Sequence, residues 1–206
     1  MIVLVGQTGQ LALCAKLRSL GWGRLSTRDT PNPWPGEPWG FDSGIYADWF
    51  AGRPFDESNF LRRVEVAHKV GFPYMAVPPD KVGKGLESLD YTLEWLERLP
   101  RWPWWLALQD GMTEEMVRPE AHRFAGLFLG GTDRFKSTAR GWVDFAHSLG
   151  MPLHYGRAGT PRKLEWAEMC GADSCDSSFP LWTRDRMEWF IECWTHKPQM
   201  QLWSGG

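Results

Sequence analysis

The chain has 206 residues, 43% of them hydrophobic and 23% charged, with a formal net charge of −2. That length suits one domain with a sizeable core, spanning residues 1–206, and the ordinary composition excludes a disordered or fibrous chain. The near-neutral charge excludes a protein that grips nucleic acid over its whole surface, so such a substrate requires basic residues gathered on one face.

Short apolar runs alternate with amphipathic segments from end to end. Strands are predicted over residues 2–5, 23–26, 39–42, 74–77, 104–108, 126–129, 153–156 and 173–175. Helices are predicted over 11–20, 57–70, 86–99, 113–122, 135–149, 161–170 and 184–194. Thr160-Pro161 reads as an N-cap followed by an N1 proline, and Gly71, Gly150 and Gly171 each close a helical pattern. Between the second and third strands, residues 30–38 form a proline-rich loop without periodicity. The alternation predicts an α/β fold, a compact (β/α)8 barrel of the TIM type. An open doubly wound sheet is the alternative, weakened because no glycine fingerprint opens a helix after a strand.

Trp is the compositional outlier at 14 residues. Large aromatics contribute buried area first, so most are expected to pack the core. Cys14, Cys170, Cys175 and Cys193 are widely spaced, which fits reduced intracellular thiols better than a disulfide framework. The opening apolar run from Ile2 to Val5 lacks a basic flank, and no run is long enough to span a bilayer. A soluble, cytoplasmic protein is expected.

In a parallel barrel the reacting groups stand at the C-terminal ends of the strands. Those positions here hold Asp42-Ser43-Gly44, Pro79-Asp80, Gln109-Asp110, Gly130-Gly131, Gly156-Arg157 and Asp176. A single Asp after a strand is more often a turn former or a helix cap, and Gly-Gly is more often a tight turn. Their joint occurrence at one end of the barrel shifts that balance, because turn formers would scatter over both ends.

The set has a chemical logic. Asp176 and Asp42 can flank an anomeric carbon as nucleophile and general acid/base. Asp80 can accept from the donor edge of a purine-like base, and the Gln109 amide can both donate and accept. Gly130 and Gly131 let backbone approach a flat base with no Cβ between. Lys81, Lys84, Arg134, Lys136, Arg157, Arg162 and Lys163 follow the same strand ends. Each alone reads as a solvated surface residue, yet together they could track a phosphate backbone, with Arg157 the best placed. The five His show no metal-like spacing, and His154 reads as a barrel residue.

Phe41-Asp42-Ser43-Gly44-Ile45-Tyr46 resembles the Asp-Ser-Gly-Gly-Phe/Tyr motif of tRNA-guanine transglycosylases. Gly159-Thr160-Pro161, then Gly171-Ala172-Asp173-Ser174-Cys175-Asp176 and Pro180, resembles their Gly-Thr-Pro and Gly-x-Asp-x-x-Asp-x-x-x-Pro segment. The resemblance runs from about Trp39 to Arg184. Leu129-Gly130-Gly131-Thr132 with Lys136, and Gly156-Arg157 with Thr160-Pro161-Arg162, are more similar to the short virus- and genomic-island-encoded relatives that insert 7-deazaguanines into DNA.

The resemblance implies Asp176 as nucleophile on the sugar C1′ and Asp42 as acid/base. It implies Asp80, Gln109, Gly130, Gly131 and Ser43 around the base, with Tyr46 stacking on it. Arg157, Lys136, Lys81 and Arg162 would contact nucleic acid. Implied partners are DNA rather than tRNA, a free 7-deazaguanine, and a second copy of the chain or a modification-complex protein. The full-length enzymes hold structural zinc through a Cys-x-Cys-x-x-Cys cluster and a later His. Cys193-Trp194-Thr195 departs from that pattern, so no metal, no cofactor and no zinc subdomain are expected. Ile45 also replaces the motif's second glycine. Two other readings share these residues: a nucleobase glycosidase in which water resolves the intermediate, and an inactive nucleobase-binding module.

Overall fold

The computed structural model describes residues 1–6, 11–29 and 38–178, together with Leu181 and Glu188. Most of the predicted 30–38 loop, the helix expected over 184–194, and Pro180, Cys193 and His196 lie outside the described residues.

Eight strands form a single all-parallel sheet. They are β1 (Ile2–Gly6), β2 (Gly23–Thr27), β3 (Trp39–Asp42), β4 (Met75–Val77), β5 (Trp105–Leu108), β6 (Gly126–Leu129), β7 (Leu153–Tyr155) and β8 (Ser174–Ser177). Their order is β4-β3-β2-β1-β8-β7-β6-β5, so the first and last strands in sequence pair at the centre and the sheet curls into a nearly closed barrel. An open doubly wound sheet is thereby excluded. Strands β4, β5, β6 and β8 are buried along their whole length, as expected when a parallel sheet is covered on both faces.

Closure is thinnest between β4 and β5. The two meet through the Ala76–Trp104 bridge, where Ala76 N–H donates to Pro103 C=O at 3.1 Å. Pro73, Pro78, Pro79 and Pro103 flank these short strands and cannot donate to a longer ladder. Aromatic packing fills the seam: Trp102 lies edge-on to Trp39 and Phe41, and Trp104 tilts against Trp102. The expectation that Trp is chiefly a core residue holds at Trp22, Trp39, Trp95, Trp102, Trp104, Trp105 and Trp142, all buried.

The described helices are α1 (Leu11–Ser19), α2 (Ile45–Phe50), α3 (Glu57–His68), α4 (Gly85–Leu96), α5 (Glu114–Val117), α6 (Asp133–Lys136), α7 (Ala139–Ser148) and α8 (Pro161–Cys170), with a 3-10 turn at Ala121–Arg123. Thr160 caps α8 as expected, accepting from Lys163 N–H, and Gly171 ends it in the left-handed region at φ 85°. Two expectations need correction, and one element was not expected. The helix expected over 113–122 breaks after Val117, where Pro119 has no N–H to continue the ladder. The helix expected over 135–149 divides into α6 and α7, since the Ser137 and Thr138 hydroxyls bond back to the carbonyls of Arg134 and Phe135. The short α2, opened by Gly44 at φ 75°, was not anticipated. Among the described residues no helix is long and apolar enough to cross a membrane.

Candidate active site

The C-terminal ends of β3 to β8 surround a narrow cavity of about 50 Å³. Asp42, Asp80, Gln109, Gly130, Gly131, Tyr46, Arg157 and Asp176 line it, so the residues expected to do chemistry and to read a base meet in one place. Val77, Ala107 and Phe128 supply apolar walls. Ser43 is fully buried and not among the lining residues. Its hydroxyl lies 3.4 Å from Asp42 Oδ1, which also accepts from Gly44 N–H at 3.0 Å. Ser43 therefore supports Asp42 from behind.

The two carboxylates on the β3–β4 side are electrostatically stressed. Burial is the largest influence on Asp42 and pushes its carboxyl above the usual range; the nearby Asp176 pushes the same way, against the Gly44 hydrogen bond. Asp80 is pushed up to about 7, first by burial and then by the charge of Asp42. The Gln109 side-chain amide donates to Asp80 Oδ2, while Gln109 Oε1 accepts from Gly83 N–H at 3.0 Å. The loop carrying Asp80 is clamped to α4: Ser88 Oγ accepts from Lys81 N–H at 3.0 Å, and Thr92 donates to Pro79 C=O at 3.1 Å.

Asp176 is held differently. Its Oδ1 accepts from Arg157 N–H at 2.8 Å and lies 3.0 Å from His154 Nε2. His154 Nδ1 lies 2.8 Å from Ser174 Oγ, and its ring stacks on Phe128 with centroids 4.9 Å apart. The backbone of Arg157 is left-handed at φ 56°, a costly conformation for a residue with a Cβ, and one that accompanies its N–H bond to Asp176. The Arg157 guanidinium donates to Gly131 C=O at 2.5 Å and lies 3.9 Å from the Tyr46 ring centroid. That ring is the one expected to stack on a base.

Gly130 and Gly131 are required sterically. A Cβ on Gly130 would sit 3.0 Å from Gln109 Nε2, and one on Gly131 would sit 2.5 Å from Asp110 Oδ2, at a residue with φ 71°. Asp110 itself anchors the turn, accepting from Thr132 N–H at 2.8 Å.

The expected basic contacts divide. Lys136 is buried, with its ammonium donating to Gly156 C=O at 2.9 Å, and desolvation pulls it down to about 8. It ties α6 to the end of β7 rather than facing a phosphate. Lys81 is exposed, its ammonium 5.3 Å from the Tyr91 ring and outside the cavity. Arg162 lines a larger cavity of about 670 Å³ between α6 and α8, with Lys163, Thr160, Tyr155 and Trp166. Helix α2 presents Tyr46, Trp49 and Phe50 to solvent. Its inner face is anchored by Asp48, which pairs with the buried Arg28.

His154, read from the sequence as a barrel residue, is one and is fully buried, but its contact with Asp176 was not foreseen. The available signal was its place in the alternation of β7: a polar side chain between Leu153 and Tyr155, on the face opposite its neighbours. Among the described residues no group of three or more His, Cys, Asp and Glu side chains is placed to hold a metal ion. No protein-family model matches the chain, and no curated protein matches it.

Proposed function

We propose that the protein is a nucleic-acid base-exchange enzyme that replaces guanine with a 7-deazaguanine in DNA. The observation that carries this reading is the arrangement of three carboxylates around one cavity. Asp42 and Asp176 are close enough to couple electrically, and Asp80 with Gln109 forms a separate hydrogen-bonding edge beside Gly130-Gly131. Hydrolysis of a sugar bond alone would need the first pair; recognition of a planar base accounts for the rest. The motif resemblance to guanine transglycosylases supports the same assignment.

The chemistry is a double displacement. An Asp176 carboxylate oxygen forms a bond to C1′ as the C1′–N9 bond breaks, and Asp42 gives its proton to the departing guanine. Guanine leaves and the 7-deazaguanine enters. The N9 lone pair of the incoming base attacks C1′, its N–H proton returns to Asp42, and the bonding pair of the ester returns to Asp176. The raised carboxyl of Asp42 suits a group that must carry a proton into the first step.

A target nucleotide in a duplex must be flipped outward to present C1′. The exposed aromatics of α2 and the basic residues Arg162 and Lys163 offer stacking and phosphate contacts to the flanking strand. The test incubates the protein with DNA and tRNA oligonucleotides and radiolabelled guanine or 7-deazaguanine. Label entering DNA, lost in Asp176→Asn, is expected. Abasic sites without incorporation would replace exchange by hydrolysis, and neither product would leave a base-binding module.

A further inference from the structure

The barrel interior beneath Asp176 holds a polar chain that neither the motifs nor the exchange chemistry accounts for. His154 is fully buried, enclosed by the stacked ring of Phe128 and the edge-on ring of Trp105. Both of its nitrogens are engaged, Nε2 by Asp176 Oδ1 at 3.0 Å and Nδ1 by Ser174 Oγ at 2.8 Å. Ser174 is fully buried as well, and it also hydrogen-bonds the half-buried Tyr74 hydroxyl. A barrel that needed only packing at this layer would place an apolar side chain here, since buried polar groups lacking partners cost stability.

We propose that His154 is the positioning residue for Asp176, selecting which carboxylate oxygen attacks and easing its later departure. This rests on the exchange reading above. A carboxylate can only accept, so the bond to Oδ1 places a proton on Nε2. Nδ1 then accepts from the Ser174 hydroxyl 2.8 Å away, which fixes the tautomer. The chain then runs in one direction: Ser174 to His154, His154 to Asp176.

Two donors, His154 Nε2–H and Arg157 N–H, therefore converge on Oδ1. Among the described residues Oδ2 has no such pair, and it is the oxygen that bonds to C1′. In the ester that follows, Oδ1 becomes the carbonyl oxygen and keeps both donors. When the incoming base displaces the ester, negative charge returns to the carboxylate and the two donors stabilise it as it forms. They act as an oxyanion-type pair aimed at a leaving group. His154 touches neither substrate nor base, and its effect falls on the rate of ester breakdown rather than on binding.

Single-turnover kinetics on the full chain, with DNA and labelled 7-deazaguanine, separate these steps. His154→Leu keeps an apolar group against Phe128 and removes the donor. It is expected to lower kcat about 10²- to 10³-fold, the range for losing one oxyanion-hole donor, with KM for base within about threefold and the covalent adduct persisting longer. His154→Gln carries an N–H to about the same reach and is expected to recover at least about tenfold of that loss. A purely structural role predicts instead that Gln fails to rescue and that activity follows melting temperature. His154→Leu within about threefold of wild type in an otherwise active enzyme overturns the proposal. If the wild-type protein exchanges no base, the exchange reading fails. The hydrogen-bond arrangement is then still decided by imidazole 15N NMR, assigned with His154→Gln. A proton on Nε2 supports the arrangement, and one on Nδ1 alone overturns it.

Discussion

The two sides of the cavity treat the same residue type in opposite ways. On the β7–β8 side Asp176 meets two donors on one oxygen, one of them an amide held in a left-handed backbone conformation. On the β3–β4 side the half-buried Asp42 and the buried Asp80 lie near one another, Asp42 also feels the charge of Asp176, and both are driven toward the protonated form. A carboxylate's chemical role is thus set by its surroundings: the braced group suits attack, and the stressed groups suit holding or sharing a proton. The mutual repulsion is also informative. The raised carboxyls of Asp42 and Asp80 report a cost to the folded state, which a cavity with no role for them would not need.

Substitution of the braced carboxylate should have the largest effect. Asp176→Asn keeps the shape, removes the nucleophile, and is expected to reduce exchange at least about 10³-fold with no covalent adduct. Asp42→Asn removes the proton carrier, and a loss of about 10²- to 10⁴-fold is expected. Adduct formation should be restored in part by a substrate whose departing base needs no proton. Equal, unrescued losses in both variants would mean that the two sides do not differ in role.

The next effect is on pH dependence. Asp80 must be ionised to accept two donors from a purine edge, and it stands at about 7 in the fold against an ordinary value of 3.8. KM for the base should therefore fall as pH rises through about 7, and Asp80→Asn should flatten that dependence. Stability moves the other way. Between the two values the folded chain holds a proton that the unfolded chain has released, so stability declines as pH rises across that window. Urea midpoints measured below pH ~5 and above pH ~8 should show the decline in wild type and a smaller one in Asp80→Asn. Asp42→Asn removes the like charge beside Asp80 and should shift the midpoint of the KM profile downward.

Much of this arrangement was legible in the sequence. Strand identity followed from apolar runs and glycine punctuation, and in a parallel barrel the residues after each strand must share one rim. That rule located Asp42, Asp80, Gln109, Gly130, Gly131, Arg157 and Asp176 without knowledge of any distance. What escaped was whatever depended on side-chain direction. Lys136 belongs to a surface-like pattern, yet it turns inward to the Gly156 carbonyl. His154 was legible as a barrel residue, but the partner it meets there, Asp176, depends on the register of β7 against β8. Helix breaks at Pro119 and at Ser137-Thr138 depended on local hydrogen bonds that compete with an otherwise continuous helical period.

The smallest expected effect separates the side chain of Arg157 from its backbone. The guanidinium lies over Tyr46 and bonds Gly131, bridging the braced side of the cavity to α2, whereas the amide alone serves Asp176. Cation–π contacts contribute about 0.5–2 kcal/mol, so Tyr46→Leu should change base affinity roughly twofold to thirtyfold while leaving kcat nearly intact. Arg157→Gly loses the same contact but keeps the N–H donor and relieves the left-handed strain, so its kcat should also stay close to wild type. A fall in kcat for Arg157→Gly matching that of His154→Leu would show that the guanidinium, and not the backbone, braces the nucleophile. The contrast between the two sides would then rest on a charged side chain, and salt should weaken it; an effect carried by the amide should be insensitive to salt.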